Sequence, residues 1–154
     1  MRHTVNFLFI ISSVFFMGCS WQEDFVISNT SSSPITIEYH LQNFSHGFAI
    51  FEDMPMVYGL NASGTINWEK PLSIADTDTT LLSVKVVVPA NSSLVFGHLS
   101  NDHYTSYNQY FINDRNFNLK QIRIINHEKV IEIVPQTFDT FFKKEKGEII
   151  LTIN

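Results

Sequence analysis

Residues 35–41 read Ile-Thr-Ile-Glu-Tyr-His-Leu, with an apolar side chain at every second position. Successive side chains of a β-strand point to opposite faces, so this alternation predicts a strand with one buried and one polar face. Residues 82–88, Leu-Ser-Val-Lys-Val-Val-Val, repeat the pattern and run into the turn-forming segment Pro-Ala-Asn-Ser-Ser at 89–93. The two stretches together predict a β-fold.

Shorter stretches of the same kind extend the prediction along the chain, at residues 25–27, 65–69, 94–96, 122–124, 131–133 and 149–153. From Val130 to Thr152 β-branched residues are frequent, and no segment rich in Ala, Leu and Glu reaches helical length. Residues 46–60 and 102–118 lack a clear period, and short helices or long loops are expected there. The spacing of strands and turns predicts an all-β fold, an antiparallel β-sandwich that is Ig-like or similar.

An apolar run near the amino terminus predicts a secretory signal peptide at residues 1–18. Arg2 precedes the run, which spans residues 5–17 and falls short of the ~18 residues or more that cross a bilayer. Phe16-Met17-Gly18-Cys19 then resembles a lipobox, in which a small residue precedes the cysteine that is acylated after cleavage. We therefore expect cleavage between Gly18 and Cys19, and Cys19 as the lipidated residue of a membrane-anchored protein.

The residues after Cys19 are predicted to form a lipidated acidic tether at 19–24, followed by a single β-sandwich domain at 25–154. Gln22-Glu23-Asp24 is similar to the export signal that sends lipoproteins of the Bacteroidetes to the outside of the cell. A solvated acidic linker explains the same three residues. The signal favours an outer-membrane lipoprotein on the periplasmic or the surface-exposed side.

The whole layout resembles the small β-sandwich lipoproteins of the Bacteroidetes. The resemblance rests on the lipobox, on the segment Phe25-Val26-Ile27-Ser28-Asn29-Thr30, on the mid-chain turn at 89–93 and on the closing Ile149-Ile150-Leu151-Thr152-Ile153. It implies a fold and a location and brings no activity with it.

Composition and charge exclude several classes of function. Residues 19–69 hold six acidic residues and no Lys or Arg, and residues 70–154 hold nine of each sign. A chain that is acidic and lacks a basic stripe is not expected to bind nucleic acid. Lys143, Lys144 and Lys146 form the one basic cluster, which is predicted to be a solvated turn. Lipidation of Cys19 would use the single cysteine and exclude disulfides and thiolate chemistry.

No pattern of catalytic or metal-binding residues stands out. The histidines lack the His-x-His and i, i+4 spacings of metal sites, so no metal or other cofactor is expected. His98, Asp102 and His103 lie close enough in sequence to be gathered by the fold, although solvated loop histidines are the preferred interpretation. No Gly-x-Ser-x-Gly motif or glycine-rich phosphate loop is present, and the protein is not predicted to be an enzyme.

Tyr104, Tyr107 and Tyr110, interleaved with amides and hydroxyls, form the segment most typical of a binding surface. Tyrosine offers a rigid apolar face and a hydrogen-bonding tip, which suit a protein or a glycan partner. Packing of these rings at the edge of the core is the alternative. We expect a non-catalytic binding or scaffolding module, or else an inhibitor or immunity-type lipoprotein that blocks a hydrolase or toxin.

Overall fold

A computed structural model describes residues 20–73, 77–80, 82–127 and 129–154 of the chain. The predicted signal peptide and the cleavage and lipidation residues Gly18 and Cys19 lie outside these residues. Within the described ranges the chain forms 13 strands and one helix, in this order: β1 (Gln22–Asn29), β2 (Ile35–Leu41), β3 (Phe48–Ala49), β4 (Phe51–Leu60), β5 (Ile66–Leu72), β6 (Thr77–Thr80), β7 (Ser83–Val88), β8 (Ser92–Ser100), β9 (Arg115–Asn116), β10 (Leu119–Asn126), β11 (Lys129–Ile133), α1 (Pro135–Phe141), β12 (Lys143–Glu145) and β13 (Glu148–Ile153).

The strands form two large sheets and one small sheet. The six-stranded sheet has the order β12-β13-β1-β8-β4-β5, the five-stranded sheet has the order β11-β10-β2-β7-β6, and β3 pairs with β9. Among the described pairs, β1–β13 and β3–β9 are parallel and the others are antiparallel, so the prediction of a purely antiparallel sandwich is wrong at these two pairs. The sequence does not show the pairing direction, because side chains alternate in the same way in parallel and antiparallel pairs and because no tight hairpin links β1 to β13.

The inner faces of the two large sheets bury a single shared apolar core. In β2 the four apolar side chains that alternation predicts to be buried are buried. From the opposite sheet, the rings of Phe25, Phe51 and Phe96 reach the same core, where Phe51 contacts the other two at ring-centroid distances of 4.8 and 5.1 Å. The fold is thus mostly β and sandwich-like, which confirms the predicted class at that level.

Two local predictions differ from the structure. Residues 51–60, expected to form a short helix or a long loop, form β4, in which a register shift between Phe51 and Met56 interrupts the alternation. Residues 135–141, expected not to be helical, form α1, which begins with Pro135 and buries only Phe138. A helix of seven residues is too short to show a 3.6-residue period. The described residues contain no helix that is long and apolar enough to cross a membrane.

The domain begins earlier than predicted, because β1 starts at Gln22 instead of Phe25. Glu23 is only 3% exposed, and Asp24 is partly buried. The last three residues of the predicted tether therefore belong to the sheet, and the tether interpretation is wrong for them. The interpretation of these residues as an export signal stays a prediction.

Candidate functional site

Two loops meet at one end of the sandwich, where β1, β4 and β13 begin and β8 ends. We call residues 42–50 after β2 and residues 101–118 after β8 the loop end. The amide of Phe48 donates to the Asp114 carbonyl at 2.9 Å, and Asn116 Nδ2 donates to the His46 carbonyl at 2.9 Å. Gly47, at φ +89°, lies where a Cβ would overlap the Asp114 carbonyl oxygen. The loops therefore contact each other directly through their backbones.

Asn118 joins the loop end to the sheet. Its Oδ1 accepts from the amides of Ile50 and Phe51 at 3.1 and 2.8 Å, and its Nδ2 donates to the Phe51 carbonyl at 2.9 Å. The Asn118 side chain is buried, so these bonds replace water at the amide and carbonyl of Phe51 and at the Ile50 amide, which also donates to the Asn116 carbonyl at 3.2 Å.

The three tyrosines predicted to form a binding surface do not share a face. Tyr104 is 6% exposed, its ring lies edge-on to Phe25 at 5.2 Å, and its hydroxyl donates to Asp139. Burial, together with the Asp139 carboxylate, raises the pKa of Tyr104 above its ordinary value. The prediction of a shared surface is wrong for Tyr104, because the segment is irregular and turns this ring into the core.

Tyr107 and Tyr110 line an open cleft of about 520 Å³ together with Phe44 and His46. The Tyr107 ring packs edge-on against Phe117 at 6.1 Å, whereas Tyr110 is 86% exposed. Phe44 also lines a neighbouring cleft of about 480 Å³, whose other wall includes Met54. The loop end therefore presents a surface with several exposed apolar side chains.

His98, Asp102 and His103 do not converge. His98 Nδ1 lies 2.6 Å from Asp24 Oδ1, and His103 Nδ1 lies 2.9 Å from Glu23 Oε1. Glu23 and Asp24 are neighbours in β1 and point to opposite faces of the sheet, so the two histidines lie on opposite faces as well. The Asp102 carboxylate accepts from backbone amides, those of His103 and Ile112. In the part of the chain that the structure describes, no group of three or more His, Cys, Asp and Glu residues is arranged to hold a metal ion.

Glu23 forms a buried ionic contact on the inner side of β1. Lys144 Nζ lies 2.6 Å from Glu23 Oε1, and the Tyr104 amide donates to Oε2 at 2.8 Å. Burial raises the pKa of Glu23, but hydrogen bonds with His103, Lys144 and the Tyr104 amide outweigh it and hold the pKa below its ordinary value. The prediction of a solvated turn is thus wrong for Lys144, since nothing in the local sequence indicates a partner 121 positions away.

The outer face of the six-stranded sheet carries three cross-strand rows, given by the registers of β13, β1, β8 and β4. The first row is charged: Glu148, Asp24, His98. The second is apolar: Ile150, Val26, Val95, Met56. The third carries hydroxyl groups: Thr152, Ser28, Ser93, Tyr58. Residues paired across strands project from the same face, so each row is a contiguous strip on the sheet.

The charged row also contacts Glu52, whose Oε1 lies 3.7 Å from His98 Nε2. The hydrogen bond with Asp24 raises the pKa of His98, although burial opposes it, and the charge of Glu52 adds to the increase. Burial raises the pKa of Glu148 as well, with the negative charges of Asp24 and Glu145 acting in the same direction. The row and Glu52 together therefore hold three carboxyl groups and one histidine, and the positive charge of Arg115 is near enough to lower the pKa of His98 in part.

Beside the apolar row, two aromatic rings face solvent near the edge of the sheet. Tyr58 and Trp68 contact each other at a ring-centroid distance of 5.1 Å, and the Trp68 side chain is half exposed. Beneath them, Val26, Ile66 and Val95 form a small buried cluster that is separate from the main core. Sequence reasoning missed this face because Met56 and Tyr58 lie in a segment that has no clear period and is expected to form a short helix or a long loop.

No protein-family model matches the chain, and comparison with curated proteins and with solved structures finds no significant match.

Proposed function

We propose that the protein is a lipid-anchored β-sandwich, Ig-like or similar, which binds a partner at the outer membrane or cell surface without catalysing a reaction. The lipobox, with Cys19 as the acylated residue, and the resemblance to lipoproteins of the Bacteroidetes support this location. β1 begins three residues after Cys19, so the anchor lies close to the folded domain.

The proposed binding function is supported mainly by the exposed side chains on the outer face of the six-stranded sheet. Val26 and Val95, in the middle of its apolar row, are buried. The row ends in Met56, and the Tyr58–Trp68 pair adjoins that end, so the accessible apolar patch consists of Met56 and this pair. Met56 and Trp68 are 45% and 47% exposed. Aromatic side chains and Met are enriched at protein interfaces, where they bury much apolar area, and charged rims lie around them. The charged row beside the patch supplies such a rim, which favours a protein partner.

The inhibitor or immunity-type function is a second candidate, and the charged row favours it. Asp24 and Glu52 contact His98, and Glu148 is paired with Asp24 on the neighbouring strand β13, so three carboxyl groups lie along this row. An acidic strip of this kind complements a basic active-site cleft of a hydrolase or toxin. Complementary charge acts mainly on the association rate and is screened by salt. An inhibitor would therefore lose its partner as ionic strength rises more readily than a scaffold that binds through Met56 and Trp68.

The anchor is tested by Cys19→Ser. We expect the wild-type protein to fractionate with membranes and its amino-terminal peptide to carry acyl mass. Cys19→Ser should release the protein into the soluble fraction, because one residue carries the entire acyl attachment. Unchanged membrane fractionation together with an unmodified wild-type peptide contradicts the anchor.

The binding face is tested by crosslinking in intact cells. A photo-reactive amino acid replaces Met56 in one full-length variant and Val130 in a control, which is matched because Val130 is 50% exposed and lies on β11 of the other sheet. We expect one discrete protein adduct from position 56, little from position 130, and weaker crosslinking from position 56 when Trp68→Ala is added. Equal adducts from both positions, or no effect of Trp68→Ala, contradict the proposed face.

The identity of the adduct separates the two candidates. A hydrolase or toxin whose adduct fades at high salt supports the inhibitor, and an outer-membrane protein whose adduct persists supports the scaffold. If position 56 yields no protein adduct but Trp68→Ala abolishes retention on cell-surface polysaccharide, the partner is a glycan.

A further inference from the structure

We propose that the loop end rests on the lipid surface and places Phe44, Phe48 and Tyr110 in the headgroup region of the bilayer. This inference builds on the proposed lipid anchor and adds the orientation of the domain and a second, non-covalent membrane contact. The outer face of the six-stranded sheet then stays free for a partner.

The start of the described chain is fixed to the loop end. The Trp21 amide donates to Asn101 Oδ1 at 3.3 Å, and the Asn101 amide donates to the Trp21 carbonyl at 3.0 Å. The Trp21 ring also stacks on His103 at 5.0 Å. An extended chain advances at most about 3.5 Å per residue, so the Cys19 anchor lies within about 10 Å of the start of β1. An anchored domain must therefore turn its loop end toward the bilayer.

Apolar side chains are exposed at this end in the positions that such an orientation requires. Phe48 and Tyr110 are strongly exposed and Phe44 and Met54 also face solvent, although the domain has a well-filled core. Phe44 lines both clefts of the loop end, one with Tyr110 and the other with Met54. Tyr and Trp are enriched where proteins meet the headgroup region, since their rings are apolar and their tips are polar. Trp21, half exposed beside the anchor, fits the same pattern.

The charge of the loop end indicates which lipid surface it suits. The loop end contains Asp102, Asp114 and one Arg, Arg115, and the adjoining start of β4 adds Glu52 and Asp53, which makes four acidic residues and one basic residue. Anionic lipids attract basic segments and repel acidic ones. The contact is therefore with zwitterionic lipid and is made by aromatic side chains, and anionic lipid should weaken it.

The experiment measures the depth of single tryptophans in the full acylated protein. In a Trp21→Phe, Trp68→Phe background, Tyr110→Trp places one tryptophan at the loop end, and Val130→Trp places one at the far end as a matched exposed control. The β10–β11 turn lies at that far end, because β10 begins at the loop end and runs away from it. Each protein is reconstituted into phosphatidylcholine vesicles with or without a headgroup-proximal spin-labelled lipid, and flotation confirms anchoring.

We expect the spin label to quench the fluorescence of the Tyr110→Trp protein and to leave that of the Val130→Trp protein unchanged. Phosphatidylglycerol in the vesicles should reduce the quenching. If both proteins float and carry the acyl group but are quenched alike, the anchor stands and the orientation is overturned. If neither protein floats with the vesicles or carries acyl mass, both the proposed anchor and the proposed orientation are contradicted. If the tryptophan of the Tyr110→Trp protein is shielded only in native membranes and not in vesicles, a membrane protein covers the loop end and the lipid contact is overturned.

Discussion

Lys144 Nζ lies 2.6 Å from Glu23 Oε1, which joins the second residue of β1 to the central residue of β12 across β13. Glu23 is almost fully buried, whereas the Lys144 side chain is 41% exposed. The same carboxylate accepts from the Tyr104 amide, so a single buried charge connects the start of the domain, the loop end and the last hairpin. The contribution of the Glu23–Lys144 contact to stability can be tested by substituting either residue.

Lys144→Ala should destabilise the domain by about 1.5–3 kcal/mol, the typical contribution of a hydrogen bond to a charged group. The loss is largest where Glu23 is ionised, because the buried carboxylate keeps only His103 and the Tyr104 amide as partners. Urea unfolding measures the change. Lys129→Ala, at an exposed lysine of β11, is the control and should change the free energy of unfolding by less than about 0.5 kcal/mol. Equal effects of the two variants would show that the Glu23 contact contributes nothing measurable.

Glu23 should also make the stability of the domain depend on pH in the acid range. A carboxylate whose pKa is lowered by folding contributes stability above its unfolded-state pKa, and loses that contribution as the pH falls through its folded-state pKa. The wild-type protein should therefore lose more stability than Glu23→Gln when the pH falls below about 4.5. Unfolding curves at a series of pH values check this. Glu69→Gln, at an exposed position of β5, should follow the wild type. A constant stability gap between wild type and Glu23→Gln across that range contradicts the prediction.

The contribution of His98 to stability depends on pH in the opposite direction to that of Glu23. A histidine whose pKa is raised by folding contributes stability that is complete below about pH 6.5 and is lost as the pH rises through its folded-state value. The stability of the wild type should therefore fall as the pH rises above about 6.5, and that of His98→Asn should fall less. His127→Asn is the control, because His127 is exposed at φ +49°, where Asn is tolerated. Parallel pH profiles for wild type and His98→Asn would exclude a role of the Asp24 contact.

The fold class could be predicted from the sequence because β2 and β7 have one buried face each. Their alternation follows directly from the geometry of a strand, and the structure buries the predicted side chains of Ile35, Ile37 and Tyr39. β4 was not predicted, because its register shift breaks the two-residue period. α1 was not predicted, because it is shorter than two helical turns and shows no clear helical period. The pairing direction was not predicted either, since β1 and β13 show the same alternation whether they are parallel or antiparallel.

The candidate surfaces could be predicted only in part, because they depend on loop conformation and strand pairing, which the local sequence does not show. Tyr107 and Tyr110 do line a cleft, as a segment rich in aromatic and polar residues indicates, but the local sequence does not show that Tyr104 turns inward. The outer rows of the six-stranded sheet join residues from four strands that are far apart in the chain. Met56 and Val95 are neighbours only through the register of β4 and β8.

The contact between the two loops can be tested by two glycine substitutions that share one kind of strain. Gly47 and Gly64 have φ values of +89° and +79°, so alanine at either position costs about 1–2 kcal/mol of backbone strain. A Cβ at Gly64 meets nothing within 4 Å, whereas one at Gly47 comes within 2.5 Å of the Asn116 side chain and nearer still to the Asp114 carbonyl. Gly47→Ala should therefore be more destabilising than Gly64→Ala by at least about 1 kcal/mol, and thermal unfolding compares the two. Equal losses would mean that the loops separate without cost.

Asn118 provides the sharpest test of how the loop end is held to the sheet. Asn118→Leu keeps the volume of the side chain but removes the acceptor of the Phe51 amide and the donor to the Phe51 carbonyl, both buried. The Ile50 amide keeps a second acceptor, the Asn116 carbonyl at 3.2 Å. A buried group left without its partner costs about 1–3 kcal/mol, so we expect a destabilisation of that size and a faster hydrogen exchange at Phe51 than at Ile50. Asn43→Leu, at an exposed position of the same loop, should leave both rates unchanged. Exchange at Phe51 as slow in Asn118→Leu as in the wild type would show that the Phe51 amide is protected without the Asn118 side chain, and the loop end would then be held chiefly by the backbone contacts around Gly47.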